Sequence, residues 1–194
     1  MYRKLFSLLG GLCLSQAIGA SELVRLDVKQ QADGYVISVE MVVDAPVDSV
    51  RAILTDYANL DRLNNSITSS TVIGDSRDGA VRVLTKIQNC ILFFCRDLQI
   101  VEDVVEDAQG RILRRVVPES SSLRSGQASW QLDASGDTTR VVHHAQLELG
   151  FRIPPLLGQV IVVNMLRREL LTSFKTLDCL ARRHCPTNQR DNSL

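Results

Sequence analysis

From Leu156 to Arg183 the chain carries an apolar stripe at helical spacing, through Leu156/Leu157, Val160/Ile161, Val163, Leu166, Leu170, Phe174, Leu177 and Ala181. Arg167, Arg168, Lys175, Arg182 and Arg183 decorate the other side. A helix of about 28 residues is about 40 Å long, far too long for a connector. Its broad apolar face must lie against a surface of similar extent. The preceding chain offers short alternating runs closed by turn residues, so that surface is a β-sheet.

The runs come in a definite order. Leu23 to Gln31 reads as a strand, and Asp33-Gly34 is a hairpin turn signal. Tyr35, Ile37, Val39, Met41 and Val43 then alternate cleanly and share one sheet face. Pro46 suits the first turn of a helix, whose stripe is Val47, Val50, Ile53/Leu54 and Tyr57. Six strands are predicted next, at Thr68–Ile73, Ala80–Gln88, Arg96–Glu106, Arg111–Val117, around Ala128–Leu132, and through Val141–Leu149. Two strands, a helix, six antiparallel strands and a long helix make an α+β layer architecture. A sheet curling round one long helix leaves an apolar cavity where curvature holds the two apart. Its expected walls are Val141, His143, Ala145 and Leu147 on the last strand and Val163, Leu166 and Leu170 on the helix.

Residues 1–20 have the layout of a secretory signal peptide: Arg3 and Lys4, an apolar run from Leu5 to Leu14, and small residues ending at Ala20. The predicted organisation is a signal peptide over 1–20, one domain over 21–184 and a polar tail over 185–194, in the periplasm. Removing Cys13 leaves Cys90, Cys95, Cys179 and Cys185, an even count that favours disulfides in an exported chain. The local pairing Cys90–Cys95 with Cys179–Cys185 closes short loops at little entropic cost; a four-thiolate zinc site is the alternative. Between the first two cysteines lie Ile91, Leu92, Phe93 and Phe94, where a hairpin tip belongs. Such a tip either folds back on the domain or touches lipid or a ligand tail.

The segment Val43-Asp44-Ala45-Pro46-Val47-Asp48-Ser49-Val50, followed by Leu54-Thr55-Asp56-Tyr57-Ala58-Asn59-Leu60, carries a resemblance. With the strand block and the final helix, it resembles the opening of the START-like (SRPBCC) helix-grip superfamily, in particular its polyketide cyclase/dehydrase and coenzyme Q-binding branch. The resemblance covers about residues 35–183. It implies a helix-grip fold, a curved antiparallel sheet wrapped round a long C-terminal helix.

Lys+Arg and Asp+Glu number 22 each and aromatics make up 5%, which argues against a nucleic-acid binder. No nucleophile–base motif, phosphate-cradling glycine loop or cofactor motif occurs. His143 is expected to face inward and His144 outward. Glu102 falls on the Leu98/Ile100 face and is expected at a solvent-facing strand end, the alternative being a cavity acid. Arg114-Arg115 and Arg167-Arg168 read as solvated faces, and Asp56-Tyr57 as closing the first helix against the sheet. The expected function is binding of a hydrophobic small molecule, a lipid, quinone or polyketide-like compound, without a cofactor. The alternatives are a cyclase or dehydratase acting on such a molecule with His143 as general base, and an envelope protein-interaction module.

Overall fold

The alternation of Tyr35, Ile37, Val39, Met41 and Val43 becomes the inner face of strand β2 (Gly34–Val43), with all five side chains buried. In the computed structural model the described residues are 21–32, 34–75, 79–91, 94–153 and 158–183. The expected signal peptide and polar tail, Cys185, Leu92 and Phe93 lie outside them. The remaining strands are β1 (Glu22–Gln31), β3 (Ile67–Asp75), β4 (Val81–Ile91), β5 (Phe94–Glu106), β6 (Ile112–Val116), β7 (Leu123–Ser135) and β8 (Thr138–Leu149). Helix α1 spans Val47–Leu54 and helix α2 spans Gly158–Arg182, with short 3-10 turns at Leu60–Leu63 and Pro118–Ser120.

The eight strands form one antiparallel sheet in the order β1-β2-β8-β7-β6-β5-β4-β3. The fold is the α+β helix grip. Its long-range closure is the β2–β8 pairing, which sets Tyr35 opposite Leu147, Ile37 opposite Ala145 and Val39 opposite His143. Thr139, fully buried on β8, donates its hydroxyl to the Ala45 carbonyl at 2.7 Å and fixes the turn into α1. Pro46, extended at φ −60° and ψ 148°, starts that helix.

Three elements depart from the sequence expectation. Helix α1 stops at Leu54 and does not reach Tyr57: past its C-cap Thr55 the Tyr57 and Asn59 amides turn to the Thr55 and Asp56 carbonyls at 2.9 Å, two and three residues back instead of four. Strand β7 is much longer than Ala128–Leu132, and Gly126 within it breaks the apolar alternation. A Cβ on Gly126 would stand 2.6 Å from Val116 Cγ2, so the glycine makes room for a valine on the neighbouring strand. Helix α2 begins at Gly158, and Val160 and Ile161, expected on the buried stripe, are 72% and 36% exposed.

The disulfide Cys90–Cys95 is present and joins residues directly opposite across the β4–β5 hairpin. Cys179 lies on α2, and its expected partner Cys185 falls outside the described residues.

The core gathers Val39, Met41, Val43 and Val141 from the sheet, Val50 and Leu54 from α1, and Phe174 and Leu177 from α2. Leu177 is 1% exposed. Truncating it removes buried methyl groups and leaves a void that close packing fills only partly. Leu177→Ala is expected to lower unfolding free energy by about 2–5 kcal/mol in a denaturant titration.

Candidate functional site

Helix α2 is supported differently at its two ends. Its C-terminal half shares one apolar cluster with α1, through Phe174, Leu177 and Ala181 against Val50 and Leu54. Among the described residues, the chain from Asn64 to Ile67 borders the space beside its N-terminal half, following the 3-10 turn at Leu60–Leu63 that also meets α2. The result is a cavity of about 290 Å³ between α2 and the β4–β5 half of the sheet. Ile87, Leu98 and Ile100 form one wall, Leu123, Leu147 and Leu149 another, and Val162, Met165, Leu166 and Leu170 the helix side. Phe151 and Ile153, just past β8, complete the lining. An apolar wall with a few convergent polar groups is the usual form of a small-molecule site.

Two polar clusters touch this cavity. Asn64, 8% exposed, donates its side-chain amide to the Glu169 carbonyl at 3.1 Å, to Glu169 Oε2 at 2.9 Å and to Ser173 Oγ at 3.0 Å. Ser66 donates its hydroxyl to the same Glu169 Oε2 at 2.8 Å. At the hairpin end Asn89 and Arg96 face each other across β4 and β5, and the Arg96 guanidinium lies 5.2 Å from the centre of the Phe151 ring. Two larger depressions, about 570 and 560 Å³, lie on the outer face of the sheet. They are shallow and mixed in lining, with Arg115, Gln127 and Gln146 at the surface of both. The apolar cavity beneath α2 is the better small-molecule site.

Residues 36–182 match the model of the family described as polyketide cyclase / dehydrase and lipid transport. The chain belongs to that family. No curated protein sequence matches it. Among solved structures, a START superfamily protein from Mycobacterium smegmatis superposes with a TM-score of 0.60 at 13% identity, over 77% of this chain and 99% of that one. The Zhui aromatase/cyclase from Streptomyces sp. R1128 gives 0.61 at 13% identity, over 79% and 97%. A STAR-related lipid transfer protein fragment from Xanthomonas axonopodis gives 0.50 at 18% identity, over 82% and 98%. At these identities the likeness is one of fold.

Within this polyketide cyclase/dehydrase and lipid transport fold, the expected cavity residues divide. Leu147, Leu166 and Leu170 line the cavity. Val141 is fully buried in the core, and Ala145 and Val163 pack against that core. His143 faces inward as expected, and His144 is exposed, its Nδ1 3.2 Å from Ser38 Oγ. His143 does not reach the cavity. Its ring stacks on Trp130 with centroids 4.0 Å apart, and its Nδ1 lies 3.2 Å from the Ser129 carbonyl. A carbonyl only accepts, so Nδ1 carries the proton. Burial lowers its pKa from 6.5 to about 3, against the Ser129 hydrogen bond that favours the charged ring and with the nearby Arg114 charge adding to the fall. Such a histidine is neutral at physiological pH and a poor proton acceptor.

Glu102 corrects a second expectation. It is not at a solvent-facing strand end: it points into the sheet's concave side and meets Arg114 Nη2 at 2.5 Å, each side chain 16% exposed. Arg114 is therefore an interior residue, while its neighbour Arg115 is exposed, as are Arg167 and Arg168 on α2. Asp56 and Tyr57 do close the first helix: Ser70 donates to the Tyr57 carbonyl at 2.7 Å, and Asp56 accepts from Asn59 and Arg62. The Asn64–Ser66–Glu169 cluster was not foreseen. Its signal was an acid and a serine, Glu169 and Ser173, set between Leu166, Leu170 and Phe174 in an otherwise apolar stripe.

The His143 geometry fixes a pH dependence. The folded-state pKa lies below the unfolded value near 6.5, so the unfolded chain binds the extra proton first. The stability from the neutral ring is fully present above about pH 6.5 and declines as pH falls towards 3, by up to about 1.4 kcal/mol per pH unit. His143→Phe keeps a ring against Trp130 and removes the titration. Its unfolding free energy is expected to fall less steeply than wild type between these pH values in parallel denaturant titrations.

Proposed function

We propose that this protein binds a hydrophobic small molecule, of lipid, quinone or polyketide-like character, in the cavity between α2 and the β4–β5 half of the sheet, and that it does so in the periplasm. The observation that carries the reading is the cavity itself: about 290 Å³, lined by Ile100, Leu123, Leu147, Leu166 and Leu170, with few polar groups among its walls. Each Å² of apolar ligand surface removed from water contributes roughly 25 cal/mol before association costs. Membership of a family described by lipid transport as well as by cyclase and dehydrase chemistry supports the same reading. A binding role is favoured over a cyclase or dehydratase because His143, the one residue singled out as a base, is neutral, buried and turned to the Ser129 carbonyl. The periplasmic setting is supported by the signal-like residues 1–20 and by the Cys90–Cys95 disulfide, which suits an oxidising compartment. The exported chain should begin near Ser21 by intact mass.

The cavity is tested by filling it. Leu166→Trp places an indole in the space without disturbing Phe174 or Leu177. The variant is expected to keep its circular dichroism spectrum and to lose binding of the hydrocarbon pyrene, followed by pyrene fluorescence. Undiminished pyrene binding by the folded variant would move the site elsewhere.

A further inference from the structure

We infer that the ligand's polar end is a hydrogen-bond donor, a hydroxyl or an amine, received by the carboxyl group of Glu169. This rests on the reading of the cavity as a ligand site and names the chemistry it selects.

The argument is an inventory of donors and acceptors at the Asn64 corner. Asn64 spends its two amide hydrogens on the Glu169 carbonyl, Glu169 Oε2 and Ser173 Oγ, and its Oδ1 accepts the Ser66 backbone N–H at 2.8 Å. Ser66 spends its hydroxyl hydrogen on Glu169 Oε2 at 2.8 Å. Ser173 spends its own on the Glu169 carbonyl at 3.0 Å. Every donor of the cluster is thus engaged within it. Both side-chain donors that reach the carboxyl group converge on Oε2, and among the described residues none reaches Oε1.

Glu169 lines the cavity, and two hydrogen bonds to a single oxygen hold its carboxyl group in place. What this corner offers an incoming molecule is an acceptor with no donor beside it. A hydroxyl or amine satisfies it. A carboxylate would meet oxygen against oxygen, and an ether would leave it unmet. The competing polar edge, Asn89 and Arg96 at the hairpin end, has the opposite character, because a guanidinium only donates. The two edges therefore predict opposite ligand preferences, and the choice between them is measurable.

The experiment is competition against bound pyrene by four probes of matched length: 1-decanol, decylamine, methyl nonyl ether and decanoate. Methyl nonyl ether is an isomer of decanol without its donor. It is the more apolar of the two, so a purely apolar cavity would prefer it. Decanol is expected to displace pyrene at roughly tenfold lower concentration than the ether. Decanoate is expected to be weaker still. Decylamine matching or exceeding decanol would assign the site to amines as well as alcohols, and decanol alone in the lead would assign it to alcohols. In Glu169→Gln the side-chain carbonyl can keep the Asn64 and Ser66 hydrogen bonds while the amide nitrogen turns to the cavity. The gap between decanol and ether should then close. Should that variant fail to fold, the wild-type order alone decides. An ether that competes as well as decanol, a decanoate that competes better, or an unchanged order in folded Glu169→Gln overturns the inference while leaving the cavity reading intact. Failure of pyrene and all four probes to bind overturns the cavity reading, and this inference with it.

Discussion

Phe174 and Leu177, 4% and 1% exposed, press the C-terminal half of α2 into the cluster formed by α1 and the β2–β8 strands, and the other end of the molecule follows from that anchorage. Held at one end by a second helix and a close-packed core, α2 projects over the β4–β5 half of the sheet, where among the described residues Asn64–Ile67 runs beside it. Curvature keeps sheet and helix apart there. The cavity is thus the remainder of an asymmetric packing problem, solid where two helices share the sheet and hollow where one spans it alone.

Most polar groups inside this frame are tied down, as low-dielectric surroundings require, and among the described residues Thr85 Oγ1 and Arg114 Nε are the buried exceptions. Thr139 is bound to the Ala45 carbonyl, His143 to the Ser129 carbonyl, and Asn64 to Glu169 and Ser173. The Glu102–Arg114 pair is the most demanding, since desolvating two charges offsets much of their attraction. Such a pair is weak evidence for stability, although losing one partner would leave a costly buried charge. Its acidic partner, Glu102, lies two residues along β5 beyond Ile100, on the same strand as that part of the apolar cavity wall. The Arg114 charge also acts on His143, where it adds to the burial that keeps the imidazole neutral.

Much of this was legible in the sequence because period is a direct record of burial. Tyr35 through Val43 alternates without a break, and that strand, second in the sheet order, buries all five side chains of its inner face. The long helical run announced a helix resting on a sheet, and the resemblance carried by Asp44 to Leu60 placed it in the correct family. What period could not report was depth along an element. Val141 and Leu147 share one face of β8, yet one is in the solid core and the other in the cavity wall, because α1 covers only one end of the sheet. The same limit put Val160 and Ile161 on a buried stripe although the first turn of α2 leaves both exposed. Glu102 was placed on the right strand face but at a solvent-facing end, and Glu169 was not singled out. The partners that hold them, Arg114 and Asn64, are distant in sequence and come together only through strand order and helix placement.

The claim at the centre of this account is that the hollow end of the grip is occupied by a small apolar molecule. Native mass spectrometry of the protein purified from its own cells tests it most directly. The account predicts a chain beginning near Ser21 that carries one non-covalently bound small molecule, absent from the Leu166→Trp variant prepared in the same way. Wild-type protein recovered only as the bare chain, or the same bound mass on both proteins, would contradict it.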